Sequence, residues 1–169
     1  IKPDVVAVGS SVRSTRPNNV YQGGSGTSYS APAITGICAL ISEQYRATYG
    51  VKPSSSLIKA AIMNTADDLG SEGPDYIWGY GRVNARRAIS LIAEDRFTTG
   101  TMSQGESVTI EVDIPDNTRE LRAMLLWTDA AGAPFATPAL RNDLDLSIKF
   151  NQETTLPWVL HPAPDSVSL

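Results

Sequence analysis

The chain has 169 residues, 41% hydrophobic and 19% charged, which is ordinary globular composition and enough for one medium domain or two small ones. Its net charge of −4 argues against nucleic acid and anionic membrane surfaces as partners. One cysteine, Cys38, excludes an internal disulfide, and no run of about 18 apolar residues offers a membrane span.

The chain opens on Ile1-Lys2-Pro3-Asp4, followed by the apolar run Val5-Val6-Ala7-Val8 and Gly9. Such a run between Pro and Gly reads as a short buried strand. An opening inside a loop and strand leads us to expect a piece of a longer polypeptide. Residues 9–27 are rich in Ser, Gly, Asn and Arg and are expected to form loop.

Three helical segments follow. Ile34, Ile37, Cys38, Ile41 and Tyr45 make one apolar stripe on a helix over residues 28–47, closed by Gly50 and Pro53. Cys38 lies on that stripe, so a structural thiol is expected. A second helix starts at the N-cap Ser54, runs through residues 57–63, and is apolar nearly all round, hence buried. Asn64, near its end, reads as a capping or packing residue. A third helix has Asn84 as its cap and Ala85, Ala88, Ile89 and Ile92 as its stripe. An aromatic and glycine loop, residues 76–81, lies between the last two.

The period then changes from 3.6 to 2. Val108, Ile110, Val112 and Ile114 alternate with polar residues, as do Leu144, Leu146, Ile148 and Phe150. Residues 121–128 are more continuously apolar. This predicts an antiparallel sheet with one buried face, after a boundary near residues 96–100. A complete jelly roll has about eight strands, so the sandwich expected over 100–169 is partial.

Chemistry concentrates in Gly23-Gly24-Ser25-Gly26-Thr27-Ser28-Tyr29-Ser30-Ala31-Pro32. The segment places Ser28 at a helix N-terminus, where backbone N–H groups lack intrahelical partners and the dipole is positive. Such donors stabilise the oxyanion of a tetrahedral acyl intermediate. The glycines let another chain approach the backbone closely, and Pro32 is expected in the first helical turn. A glycine-rich loop ending in a plain Ser or Thr cap is the other reading of the same residues.

Gly26-Thr27-Ser28-Tyr29-Ser30-Ala31-Pro32 resembles the Gly-Thr-Ser-Met-Ala-x-Pro signature of the subtilase family of serine peptidases. Residues 1–9 resemble the Lys-Pro-Asp-x-x-Ala-Pro-Gly stretch that precedes it. Gly79-Tyr80-Gly81-Arg82-Val83-Asn84-Ala85 resembles the closing Gly-x-Gly-x-x-Asn-x segment. The three motifs stand in family order over residues 1–93. The resemblance implies an α/β subtilase fold over 1–95 and a secreted endopeptidase that cleaves protein or peptide substrates. It implies Ser28 as nucleophile, its own N–H in the oxyanion hole, and Gly26, Thr27 and Tyr29 around the substrate. No cofactor is needed for that chemistry. Tyr29 stands where Met is usual and Val8 where Pro is usual.

In subtilases the catalytic Asp, the His base and the oxyanion Asn precede the serine, and no histidine precedes Ser28 here. A serine hydroxyl needs a base, so the chain alone is expected to be inactive, its partner being the missing N-terminal part of the catalytic domain. Cut edges also lead us to expect self-association. An α/β-hydrolase is a rival reading, with Ser28, then Asp143 or Asp145, then His161 in that fold's order, but no strand runs into Ser28 as its elbow requires. His161, among prolines, reads as a loop histidine. Asp129, Asp143 and Asp145 could supply oxygen ligands for a structural calcium ion; the alternative is that Asp143 and Asp145 are the solvent face of a strand. With that site, residues 100–169 would be a non-catalytic stabilising module.

Overall fold

The computed structural model describes residues 2–137 and 140–160. His161 therefore lies outside the described residues.

Three helices make the core. Helix α1 (Thr27–Tyr49) ends at Gly50, whose φ of 73° turns the chain left-handed while its N–H donates to the Arg46 carbonyl at 2.9 Å. Helix α2 (Ser55–Asn64) is capped by Ser54, whose Oγ accepts from the Leu57 N–H at 3.1 Å. Helix α3 (Ala85–Ala93) is capped by Asn84, whose Oδ1 accepts from the Arg87 N–H at 3.0 Å. Ile41, Leu57, Ala61, Ile62, Ala88, Leu91 and Ile92 form the buried cluster where these helices meet. The expected stripe packs as read: Ile34, Ile37, Cys38 and Tyr45 lie against that cluster. Tyr45, Tyr49 and Phe97 stack at its end, and the Tyr49 hydroxyl donates to Asp95 at 2.6 Å.

Two expectations, a strand and a loop, are corrected. The first concerns residues 5–8, which reduce to a single parallel bridge between Val6 and Arg82, made by Val6 N–H to the Gly81 carbonyl and Val83 N–H to the Val6 carbonyl. The parallel sense holds, but Val8 is 66% exposed, and among the described residues no further strand lies alongside it. The second concerns residues 9–27. They are not plain loop: β1 (Val12–Arg16) and β2 (Val20–Gly24) form an antiparallel hairpin in the register Val12↔Gly24 to Arg16↔Val20. Asn18 and Asn19, both at positive φ, make its turn, a conformation Asn tolerates.

The β-sandwich expected over 100–169 does not form among the described residues. Pairing there is confined to β3 (Ile148–Phe150) and β4 (Glu153–Thr155). Val108, Ile110, Val112 and Ile114 are exposed. Alternation assigns side chains to faces, but a sheet also needs neighbouring strands to satisfy its backbone, and residues 108–114 have none. This part of the chain still touches the helices. Asn64 Nδ2 donates to the Arg122 carbonyl at 3.3 Å, and Arg122 Nη1 to the Ala66 carbonyl at 2.9 Å. Asn64 is thus a packing residue that ties the end of α2 to residue 122.

Candidate active site

Ser28 is the second residue of α1, one step inside the helix after the N-cap Gly26. Gly26 has φ 145° and ψ 164°, a backbone shape that residues with a Cβ rarely adopt. The first N–H of the helix to find a backbone partner is that of Tyr29, which donates to the Gly26 carbonyl at 3.0 Å. The N–H groups of Thr27 and Ser28 have no partner among the described residues, and both residues are exposed. Ser28 thus presents a hydroxyl and a free N–H together at the positive end of a 23-residue helix. This is the placement the glycine-rich segment predicts.

The loop before Ser28 is held from two sides. On one side, Gly26 N–H donates to the Gly9 carbonyl at 2.7 Å, and Ser11 N–H donates to Ser25 Oγ at 2.9 Å. The approach at Gly9 is close: a Cβ there would lie 2.7 Å from the Gly26 carbonyl oxygen and 2.9 Å from Ser30 Oγ. On the other side stands the hairpin. Arg16 Nη2 donates to the Tyr29 hydroxyl, whose ring covers Gly24; a Cβ on Gly24 would lie 2.1 Å from Tyr29 Oη. Tyr29 therefore needs glycine at position 24.

Pro32 departs from its expected position. It is the sixth residue of α1, past the first turn, and its ring nitrogen brings no N–H to the Ser28 carbonyl four residues back. Thr27 and Ser30 are tied locally, with Ser30 Oγ donating to the Thr27 carbonyl at 3.1 Å. Cys38 faces the core, and burial pushes its thiol pKa up, the behaviour of an inert structural cysteine.

The closing motif gains a physical reason for each glycine. Gly79, at φ 63°, lies over the Pro3 and Asp4 carbonyls, and Gly81, at φ 105°, over the Asp67 carbonyl. No side chain fits at either place. Asp75, 7% exposed, accepts from the Ile77 and Trp78 N–H groups at 2.8 and 2.6 Å and shapes the turn that leads into Gly79. Asp67 is the residue that reading the sequence missed. Its carboxylate accepts from Asn84 Nδ2 at 3.0 Å and pairs with Arg82 and Arg87, at 3.2 and 3.4 Å. These bonds, Asn84's first, hold its pKa below the ordinary carboxylate value. Its one sequence signal is an acid some way before Arg82, Arg86 and Arg87, too common to interpret.

Asp129, Asp143 and Asp145 are not brought together. Asp129 instead accepts from the N–H and side-chain amide of Asn142, which lowers its pKa. Among the described residues no three His, Cys, Asp or Glu side chains gather as a metal site, so the calcium expectation finds no ligand set there.

Residues 1–81 match the model of the Subtilase family. This stretch is similar to subtilases. Thermitase of Thermoactinomyces vulgaris is 42% identical over 86 residues, covering 51% of this chain and 28% of thermitase. An extracellular serine protease of Serratia marcescens is 41% identical over 73 residues, 43% of this chain and 6% of that protein. The C5a peptidase of Streptococcus pyogenes serotype M6 is 38% identical over 142 residues, 77% of this chain and 12% of the peptidase. The chain spans between about a twentieth and a quarter of the length of these relatives. The matched stretch contains β1, β2, α1, α2 and the glycines Gly79 and Gly81, so the hairpin, the Ser28 turn and Asp67 lie within it, while Arg82 follows its last residue.

Proposed function

We propose that this chain carries the nucleophile of a subtilisin-type serine endopeptidase, and that Ser28 is that nucleophile. The observation that carries the reading is the exposed Ser28 hydroxyl beside its own unpartnered N–H at the start of α1. In the reaction Ser28 Oγ attacks the scissile carbonyl carbon while its proton passes to a histidine base. The carbonyl oxygen becomes an oxyanion facing the Ser28 N–H and the helix dipole. Collapse of the tetrahedral species breaks the C–N bond. The amine leaves with the proton from the histidine, and water then hydrolyses the acyl-serine ester by the same route. Gly26 and Thr27 border the path of the substrate backbone, and Tyr29 forms the adjoining wall.

The base comes from polypeptide outside this sequence, since the chain's only histidine, His161, follows the whole subtilase stretch. Secretion is supported by the extracellular serine protease among the relatives.

The test is a peptide-cleavage assay with and without the polypeptide that supplies the histidine. We expect turnover only in the combination, and its loss in Ser28→Ala. Undiminished turnover in Ser28→Ala would overturn the assignment.

A further inference from the structure

Residues 5–42 contain Arg13 and Arg16 and not one Asp or Glu, within a chain of net charge −4. This stretch, which includes Ser28, therefore carries a net positive charge. The two arginines are placed differently. Arg13 lies over the Tyr21 ring, at 5.9 Å from its centroid, out on the hairpin. Arg16 is tied to Tyr29, the residue that follows Ser28, both by its hydrogen bond to the hydroxyl and by lying 5.9 Å from the ring centroid. A guanidinium has five N–H donors. One of Arg16's is used on Tyr29 Oη, and no carboxylate pairs with it among the described residues. By contrast Arg82 and Arg87 share Asp67, Arg96 pairs with Glu94, and Arg122 with Glu120.

We infer that Arg16 is a specificity-determining residue, offering an unpaired guanidinium held on Tyr29, the residue after Ser28, to a carboxylate side chain of the peptide near the bond that is cut. The inference rests on the peptidase reading and deepens it by naming a substrate class, peptides acidic near the scissile bond. Tyr29 is the positioning residue. Its ring is seated over Gly24 and its hydroxyl holds the fork, which reduces the rotamer freedom a free arginine would lose on binding. The fork's geometry also suits a planar carboxylate better than an ammonium would.

The magnitude is bounded by exposure. A solvent-exposed ion pair contributes about 0.2–1 kcal/mol, so a Glu peptide should exceed its Gln counterpart by about threefold in kcat/KM. Screening at 1 M salt, where the Debye length is about 3 Å, should remove most of it.

The experiment uses paired peptides that differ by Glu or Gln at one position, moved along either side of the cleaved bond. They are assayed with the protein completed by its histidine-bearing polypeptide. We expect a Glu preference at one position, its loss in Arg16→Gln, its partial retention in Arg16→Lys, and its weakening in Tyr29→Phe. Circular dichroism confirms that each variant folds. A Glu-to-Gln ratio equal in wild type and Arg16→Gln at every position, with turnover intact, overturns this inference alone. Absence of any Ser28-dependent turnover overturns the peptidase reading and the inference with it.

Discussion

The Gly26 N–H donates to the Gly9 carbonyl at 2.7 Å, so the turn that presents Ser28 hangs from a residue 17 positions earlier. The contact requires two backbones to meet with no side chain between them. Gly9 is thus as much part of the nucleophile's support as the glycines that adjoin Ser28.

Gly9→Ala tests that support. The added Cβ would meet the Gly26 carbonyl oxygen at 2.7 Å, and backbone cannot swing aside as a side chain can. Overpacking of this kind costs about 1–3 kcal/mol. We expect a lower melting temperature by calorimetry, and in the completed enzyme a fall in kcat larger than the change in KM.

Gly24 and Tyr29 should behave as a coupled pair. A Cβ on Gly24 would lie 2.1 Å from Tyr29 Oη and displace the ring. Gly24→Ala is expected to destabilise the chain while Tyr29 is present. Gly24→Ala combined with Tyr29→Ala should cost less than the sum of the two single changes, by about 0.5–1 kcal/mol in a double-mutant cycle. Strict additivity in urea titrations would disprove the packing described.

Asp67 gives a pH dependence with a definite sign. Its folded pKa is depressed below 3.8 by Asn84, Arg82 and Arg87. The stabilisation is therefore complete above the unfolded pKa and is lost as pH falls through the lower folded value. Asp67→Asn should cost about 1–2 kcal/mol at pH 7, the scale of hydrogen bonds to a charged group. The gap from wild type should close at pH values below about 4. Denaturant titrations at several pH values read this directly.

Asn84→Ala removes the cap of α3 and one bond to Asp67. Cap loss alone costs about 1 kcal/mol. Because the same side chain serves both, we expect more than that, and more than Ser54→Ala costs at α2, where Oγ accepts one backbone N–H and touches only Ser56 besides. Thermal melts of the two variants side by side make the comparison.

The sequence by itself determined the helices, their caps and the position of Ser28. Those features are local: a stripe such as Ile34, Ile37 and Ile41 is written in spacing, and Ser54 and Asn84 cap N–H groups three residues away. Only the tertiary structure decided the rest. The β1–β2 hairpin escaped notice because both its faces are largely exposed, so no apolar alternation marks it. The Asp67–Asn84 bond and the Arg16–Tyr29 tie rest on contacts that no residue type announces. The alternating residues 108–114 show the converse: they specify a face, yet whether they form a sheet depends on partner strands, and backbone hydrogen bonds between distant segments are not encoded in the period of either one.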